Sequence, residues 1–547
     1  MSEQVARSNV LKIWGLALLV AAGAARAAEI PVSPKAVQVP EAPPVEVKDG
    51  AVLLSVDDAV EIALRRNLGL IVERYTRQQT DQAVLANLGI YDTTLDGLAE
   101  ATSAKGLSLS RLQGSESESQ TLNAGFSQLV PLGGLLSVGF DNSRTKDNSA
   151  NQSFNPGYRS GLNFTYTQPL LRNFGTFSTE HDLLVAQNNN LQSRSAFEGQ
   201  VITTVQQVIN AYWNLVGARQ QLIVAQESLG LAKELHERNR IQVDVGTMAP
   251  LELVQSEAAI ASNEEQIIRA QQAVGDAEDV LRQLLNLPAG PLWQAEIRPT
   301  TDPVTDRVPI NLDEAIEAAL DSRPEIKRQE LAIAQADIES RFASDQMKPQ
   351  LDLRLGYNAS GTGGDRVVRD PETGEVIQVI PGGYGDAFSQ VTGLDFTGWS
   401  ARLTFSYPLL NRAARARKAS ADIILTRERV ALEELRQLTI TEVRQAARRV
   451  DTAAKSIDAA RVSREFQLKN LDAQKKKYEN GMSTNFEITR IQQDVTQARS
   501  NEVAAVVNYR TALAEYYRVT GRLLSTQGVA IDDPAQPVSR RIFGFWR

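Results

Sequence analysis

Apolar residues recur at every seventh position along two proline-free stretches of this chain. Between Pro169 and Pro250, Val201, Val208, Leu215, Leu222 and Leu229 mark one seam, with Val205 and Tyr212 between them. Between Pro408 and Pro534 the same spacing links Val443, Val450 and Ile457, then Ile491, Ala498, Ala505, Ala512 and Val519. A seven-residue repeat predicts a coiled-coil seam rather than the face of a globular helix. At 1.5 Å per residue, a helix over Thr179–Val243 would be about 98 Å long. Shorter helices over Val56–Leu88 and Leu251–Leu287 would together reach about 105 Å. Stacked end to end, the short pair could run beside the long one.

A second pattern has period two. Leu351–Tyr357, Ala401–Tyr407, Leu162–Tyr166, Leu136–Phe140 and Leu122–Phe126 are apolar at alternate positions. Such segments suit strands with one face in lipid and one in water. Tyr166, Tyr357, Tyr407 and Trp399 fit an interfacial aromatic girdle. Polar stretches, Asp147–Gln152 and Asp365–Phe388, read as outward loops.

The chain also repeats itself. Val56-Asp-Asp-Ala-Val-Glu-Ile-Ala-Leu64 aligns with Leu312-Asp-Glu-Ala-Ile-Glu-Ala-Ala-Leu320 at an offset of 256 residues, and the same offset pairs Gln79 and Asp81 with Gln335 and Asp337. Phe164–Leu171 matches Leu403–Leu410 at an offset of 239, and Gly246 and Glu252 match Gly481 and Glu487 at 235. Ordered matches of this kind predict a duplication. Each half would hold an opening helix, strands, a long helix, a glycine-centred break and a shorter helix. Repeat 2 offers two strands, and repeat 1 between two and four. Four to six strands cannot close a barrel of eight, and open edges are not tolerated in lipid. Several chains must therefore complete one barrel.

Composition narrows the chemistry. The 547 residues include no Cys and only two His, His181 and His236. This excludes disulfides, thiol nucleophiles and Cys-ligated metals, and leaves little for a His-rich metal site or a Ser/His triad. Neither histidine has a partner visible in the sequence. A net charge of −8 argues against a general affinity for nucleic acid. Arg7 and Lys12 precede an apolar run, Ile13–Ala24, and Ala25-Arg26-Ala27 offers a small-x-small cleavage site. These features predict a signal peptide over 1–27 and an exported chain. A Pro-rich linker spans 28–50, repeat 1 spans 51–300, repeat 2 spans 301–525, and a tail with three aromatics spans 526–547. The predicted fold is mainly α with a transmembrane β-barrel portion. The chemistry-poor alternative is a periplasmic coiled-coil adaptor or structural spacer; an enzyme is disfavoured, with no cofactor implied.

The duplicated openings carry a resemblance, together with Gln168-Pro-Leu-Leu171, Tyr407-Pro-Leu-Leu410, Val245–Leu253 and Tyr478–Ile488. Over about residues 51–525 the chain resembles the TolC-like outer membrane efflux protein family. The resemblance implies a homotrimer in the outer membrane, each chain giving four strands to a 12-stranded barrel above an α-helical periplasmic tunnel. It implies docking to a periplasmic adaptor and an inner-membrane efflux pump or ABC transporter, and passive conduction for efflux or type I secretion. Repeat 1 departs from that pattern through an extra hairpin-like stretch, Gln120–Thr145.

Two breaks are the candidate tips. Gly246, Thr247 and Pro250 form one, and Gly481, Met482 and Ser483 the other. Glycine past a helix end and proline before the next fit a C-cap and a tight turn. By resemblance they are the periplasmic ends, where the tunnel narrows. Glu487 maps onto the family's acidic constriction, with Glu252 its counterpart in repeat 1. Arg490 stands where a second acid is often found, three residues from Glu487, a spacing that allows the two to pair. Lys475-Lys-Lys477 is a basic run beside the second tip.

Overall fold

The computed structural model describes residues 47–48, 50–107, 114–149, 152–287, 290–303, 305–370, 375–480 and 482–530. The chain divides into two units, Met1–Ala42 and Pro43–Arg547. The first unit, which holds the segment read as a signal peptide, lies outside the described residues, as do most of the linker, Gly481 and residues 531–547.

Repeat 1 opens with strands β1 (Val47–Lys48) and β2 (Ala51–Leu54), then helices α1 (Val56–Arg66) and α2 (Leu68–Leu88). Strands β3 (Thr94–Lys105), β4 (Glu116–Leu129), β5 (Leu135–Asp147) and β6 (Phe154–Pro169) follow. They lead to the long helix α3 (His181–Asp244), helix α4 (Leu251–Leu285) and strand β7 (Glu296–Pro299). Repeat 2 has helices α5 (Leu312–Ser322) and α6 (Pro324–Asp345), then strands β8 (Gln350–Arg369) and β9 (Val376–Ile380). A short helix α7 (Tyr384–Thr392), strand β10 (Phe396–Ser406) and helices α8 (Arg412–Glu479) and α9 (Asn485–Val519) complete it.

The single opening helix predicted for each repeat is broken instead, at Asn67 and at Arg323, equivalent positions under the 256-residue offset. Asn67 caps α2 by accepting from the Leu70 amide at 3.2 Å, and Pro324 begins α6 without an amide to continue α5. The break lies where the companion helix ends. Asn67 Nδ2 donates to the Leu284 carbonyl at 2.9 Å, and Asn286 Nδ2 to that of Arg66 at 3.1 Å. In repeat 2, Gly521 lies against Ser322. The short helices therefore stack end to end along the long ones.

Four helices lie side by side at each level: α2, α3, α6 and α8 toward the sheet, and α4, α3, α9 and α8 toward the far ends. The repeat-matched polar residues serve this layer. Asn190 Nδ2 donates to Asp81 Oδ1 at 2.7 Å, and Asn188 Nδ2 to Gln335 Oε1 at 2.9 Å. The seam residues Val201, Val205, Val208, Tyr212 and Leu215 are buried, as are Val443, Val450, Ile457, Ile491, Ala498, Ala505 and Val519. Leu222 and Leu229 are only half-buried. Past Leu215 the contact moves to Val224, Ala225, Ala232 and Leu235, as expected where a 3.6-residue helix drifts from a seven-residue repeat. The largest core sits mid-way along α3, where β2 pairs with β1 and, in parallel, with β7. There the buried Tyr212 hydroxyl donates to the Leu54 carbonyl at 3.1 Å and accepts from the Thr301 amide at 3.0 Å.

The remaining strands form one antiparallel sheet in the order β10-β8-β6-β5-β4-β3, with β9 added at the outer end of β8. This corrects the four strands implied by the resemblance: six long strands run in the ladder, because the extra stretch Gln120–Thr145 forms β4 and β5 within it. The register separates the faces. One carries Leu95, Leu122, Phe126, Val138, Phe140, Leu162, Phe164, Leu355, Tyr357, Trp399 and Leu403; the other Asp96, Asn123, Asp141, Asn163, Arg354 and Arg402. The β4–β5 turn at the helix end is short, whereas the loops at the opposite end are longer, the asymmetry of an outer-membrane barrel. Helix α7 packs at that outer end, with Ala387 and Val391 buried. No described helix is long and apolar enough to cross a membrane.

Candidate functional site

At the end far from the sheet, α3 turns into α4 and α8 into α9. Gly246 adopts φ +78°, a left-handed conformation that favours glycine. Its amide donates to the Val243 carbonyl at 2.9 Å, and the Thr247 amide and hydroxyl both donate to that of Gln242 at 2.9 Å. These bonds close the last turn of α3, and Pro250 leads directly into α4. At the second tip the Met482 amide donates to the Lys477 carbonyl at 2.8 Å. Ser483 Oγ accepts from Gln474 Nε2 at 2.6 Å, and Thr484 caps α9 by accepting from the Glu487 amide at 3.3 Å.

A buried polar chain ties the four helix ends together. Tyr478 on α8 donates to Asn239 Oδ1 on α3 at 2.7 Å. Asn239 Nδ2 donates to Asn485 Oδ1 on α9 at 3.0 Å, and Asn485 Nδ2 to Glu252 Oε2 on α4 at 3.0 Å. Asn239 is fully buried. Leu235, Tyr478 and Ile488 pack around the chain with Met248. Burial, and then the negative charge of Glu252, push the Tyr478 phenol above its ordinary pKa; Arg238 opposes them. Glu252 thus belongs to an interhelical latch. Its repeat-2 counterpart does not: Glu487 Oε2 accepts from Arg490 Nη2 at 3.0 Å, and both side chains are exposed.

Asn239 is an addition to the residues read from sequence, and Tyr478 and Asn485, there only part of the stretch Tyr478–Ile488, gain a role in the site. The signal for Asn239 was a polar residue four positions after Leu235 on the buried stripe of α3, where an amide needs a partner. The histidines also gain partners. His181 stacks on Phe342 with ring centroids 3.9 Å apart, beside Asp182, and His236 Nδ1 lies 2.8 Å from Ser256 Oγ. In the basic run, Lys475 lies 3.6 Å from Glu234 and Lys476 2.7 Å from Asp472. Val245, Leu251, Val254, Met482 and Phe486 leave an exposed apolar surface around the tips.

A family model described as outer membrane efflux protein matches residues 109–287 and 315–522, one segment in each repeat. Among solved structures, CusC is similar at 17% identity and a TM-score of 0.63, over 85% of this chain and 92% of that one. The CmeC outer membrane channel of Campylobacter jejuni gives 16% identity and a TM-score of 0.61, over 86% of each chain. The open state of the MtrE outer membrane channel of Neisseria gonorrhoeae gives 17% and 0.59, over 88% of this chain and 97% of that one. At such identities the likeness shows the fold. No curated protein sequence matches.

Proposed function

Because this chain belongs to the outer membrane efflux protein family, we propose that three copies form a channel-tunnel that conducts substrates passively out of the cell. The observation that carries the reading is the sheet: one face apolar, the other polar, both edges open, and its strands running directly into a layer of four helices. Open edges in lipid must pair with other copies, and a polar inner face leaves a water-filled lumen. The helices extend the conduit through the periplasm. The exposed apolar tips are the surface for a periplasmic adaptor, which links the tunnel to an inner-membrane efflux pump or ABC transporter. Opening requires release of the Tyr478–Asn239–Asn485–Glu252 latch. Glu487 rings the constriction in the trimer, its charge moderated by Arg490. The periplasmic adaptor or spacer reading has no comparable use for the sheet.

The test is to purify the chain from outer membranes, weigh it in detergent and record it in planar bilayers. A trimeric mass and discrete conductance steps are expected. A soluble, non-conducting protein would return the reading to the adaptor or spacer class. In the same recordings Glu487→Gln lowers cation preference at low salt; unchanged selectivity would remove Glu487 from the constriction.

A further inference from the structure

The hairpin that repeat 2 lacks, β4 and β5, is built into the membrane wall. Its ladder with β3 runs from Thr94 opposite Ser127 to Lys105 opposite Glu116, and its ladder with β6 from Leu135 opposite Thr167 to Thr145 opposite Gly157. Its apolar residues Leu122, Phe126, Val138 and Phe140 continue the apolar face of β6 and β8 in register. On the polar face, Asn163 Nδ2 of β6 donates to Asp141 Oδ2 of β5 at 2.6 Å.

The turn of the hairpin is seated rather than free. Gln168 Nε2 and the Gly175 amide both donate to the Leu132 carbonyl, at 2.9 and 3.1 Å. A side chain at Gly134 would meet the Tyr166 hydroxyl at 2.4 Å, and one at Gly133 the Asn173 carbonyl at 2.7 Å. The hairpin is thus locked to the junction of β6 with the long helix.

We infer that the trimer closes a barrel of eighteen strands, six from each copy, in which β3 of one copy pairs with β10 of the next. The inference rests on the trimeric reading above. With antiparallel pairing at every step from β10 to β3, the two edges run in opposite directions and meet antiparallel. Their lengths match, at 12 and 11 residues. Gly97, Ala99 and Ala101 on β3 leave room beside the bulky Trp399, Leu403 and Phe405 of β10.

Closure fixes the girth. Eighteen strands about 4.8 Å apart and tilted about 40° give a circumference of about 110 Å and a backbone diameter near 36 Å, against about 24 Å for twelve. Twelve helices, four per copy, at 8–10 Å spacing need about 96–120 Å. The barrel is then as wide as the tunnel beneath it. Its exit admits whatever the tunnel delivers, and selection by size falls to the tips.

The native chain has no cysteine, so paired substitutions report cleanly. Ala99→Cys with Leu403→Cys, and Ala101→Cys with Ala401→Cys, oxidised in the membrane, are expected to give covalently linked trimers. Ala99→Cys with Leu162→Cys probes β3 against β6 within one chain, here separated by β4 and β5, and is expected to stay reduced. Graded polyethylene glycols added from the outer side should enter and lower the current up to a radius of about 10 Å, rather than the about 6 Å of a twelve-stranded exit. A β3–β6 disulfide, no linkage between copies, or the narrower cut-off in a trimeric channel would overturn the eighteen-strand barrel and leave the channel reading standing. A native mass other than a trimer would instead defeat that reading.

Discussion

The two repeats share their helical seams but not their strands. At the 235-residue offset Val208, Leu215 and Leu222 correspond to Val443, Val450 and Ile457, yet repeat 1 puts four long strands into the sheet and repeat 2 two. The seams mesh across repeats, since α3 touches α6 and α9, and a change in one must be answered in the other. A hairpin inserted in a sheet needs only neighbours of matching alternation. Packing between repeats therefore holds the helices alike while the barrel wall is free to grow.

A second divergence is chemical. In repeat 1, Glu278 and Arg282 form a buried ion pair at 2.7 Å, and Glu278 also binds Arg219 at 3.0 Å and accepts from the Ile297 amide at 3.2 Å. The same offset puts Leu513, Tyr517 and Ala454 at those places in repeat 2. Removing Glu278 takes its carboxylate from the buried Arg282 and the largely buried Arg219, which keep only Asp279 and Glu296 at the rim. Glu278→Leu should cost about 3–5 kcal/mol, the largest effect predicted here. Transplanting the whole repeat-2 set, Arg219→Ala with Glu278→Leu and Arg282→Tyr, should recover about half, because no buried charge is left unpaired and the acids released, Asp279 and Glu296, are exposed. Thermal unfolding in detergent measures both; equal losses would mean that the ion pair does not set the difference between repeats.

What the sequence disclosed follows the same division. Heptads and alternation are repeated signals, and they locate both long helices and five of the strands. Strand β3 escaped because Gly97, Ala99 and Ala101 are barely apolar and Leu98 falls on the polar face; a small residue suffices where a bulky neighbour covers it. The helix breaks escaped because Asn67 and Arg323 sit within otherwise periodic segments, although Pro324 marked one of them. The latch was half legible. Glu252 drew notice as an acid near a tip, while its partners lie on three other helices, at separations no local pattern encodes.

The position of each long helix in the layer predicts a smaller asymmetry. Helix α3 lies within the layer and α8 at its edge. Gly217 lets α9 approach α3 closely: a β-carbon there would stand 2.7 Å from Val507 Cγ2. Overpacking of this kind costs about 1–3 kcal/mol, and alanine returns about 1 kcal/mol of helix propensity. A net loss of about 1 kcal/mol is expected for Gly217→Ala. The corresponding change at the edge, Thr452→Ala, should leave the unfolding temperature nearly unmoved. Comparable shifts at both positions would contradict the layer order.

The smallest effect separates the tips by pH. Tyr478 corresponds to Val243 in repeat 1, so only the second tip carries a titratable group at this level of the seam. Tyr478→Phe removes a hydrogen bond to a buried amide and should cost about 1 kcal/mol at neutral pH. In the wild type, burial and Glu252 favour the neutral phenol over its anion, against Arg238, which Glu234 and Glu479 hold at 2.6 and 2.9 Å. A folded-state pKa above the ordinary value of about 10 means that the phenol's contribution is fully present below that pH and is lost as pH rises through the folded value. The stability difference between wild type and Tyr478→Phe should therefore be flat from pH 7 to 9 and shrink above about pH 10. A difference that stays constant to pH 11 would place the phenol in water and dissolve the latch.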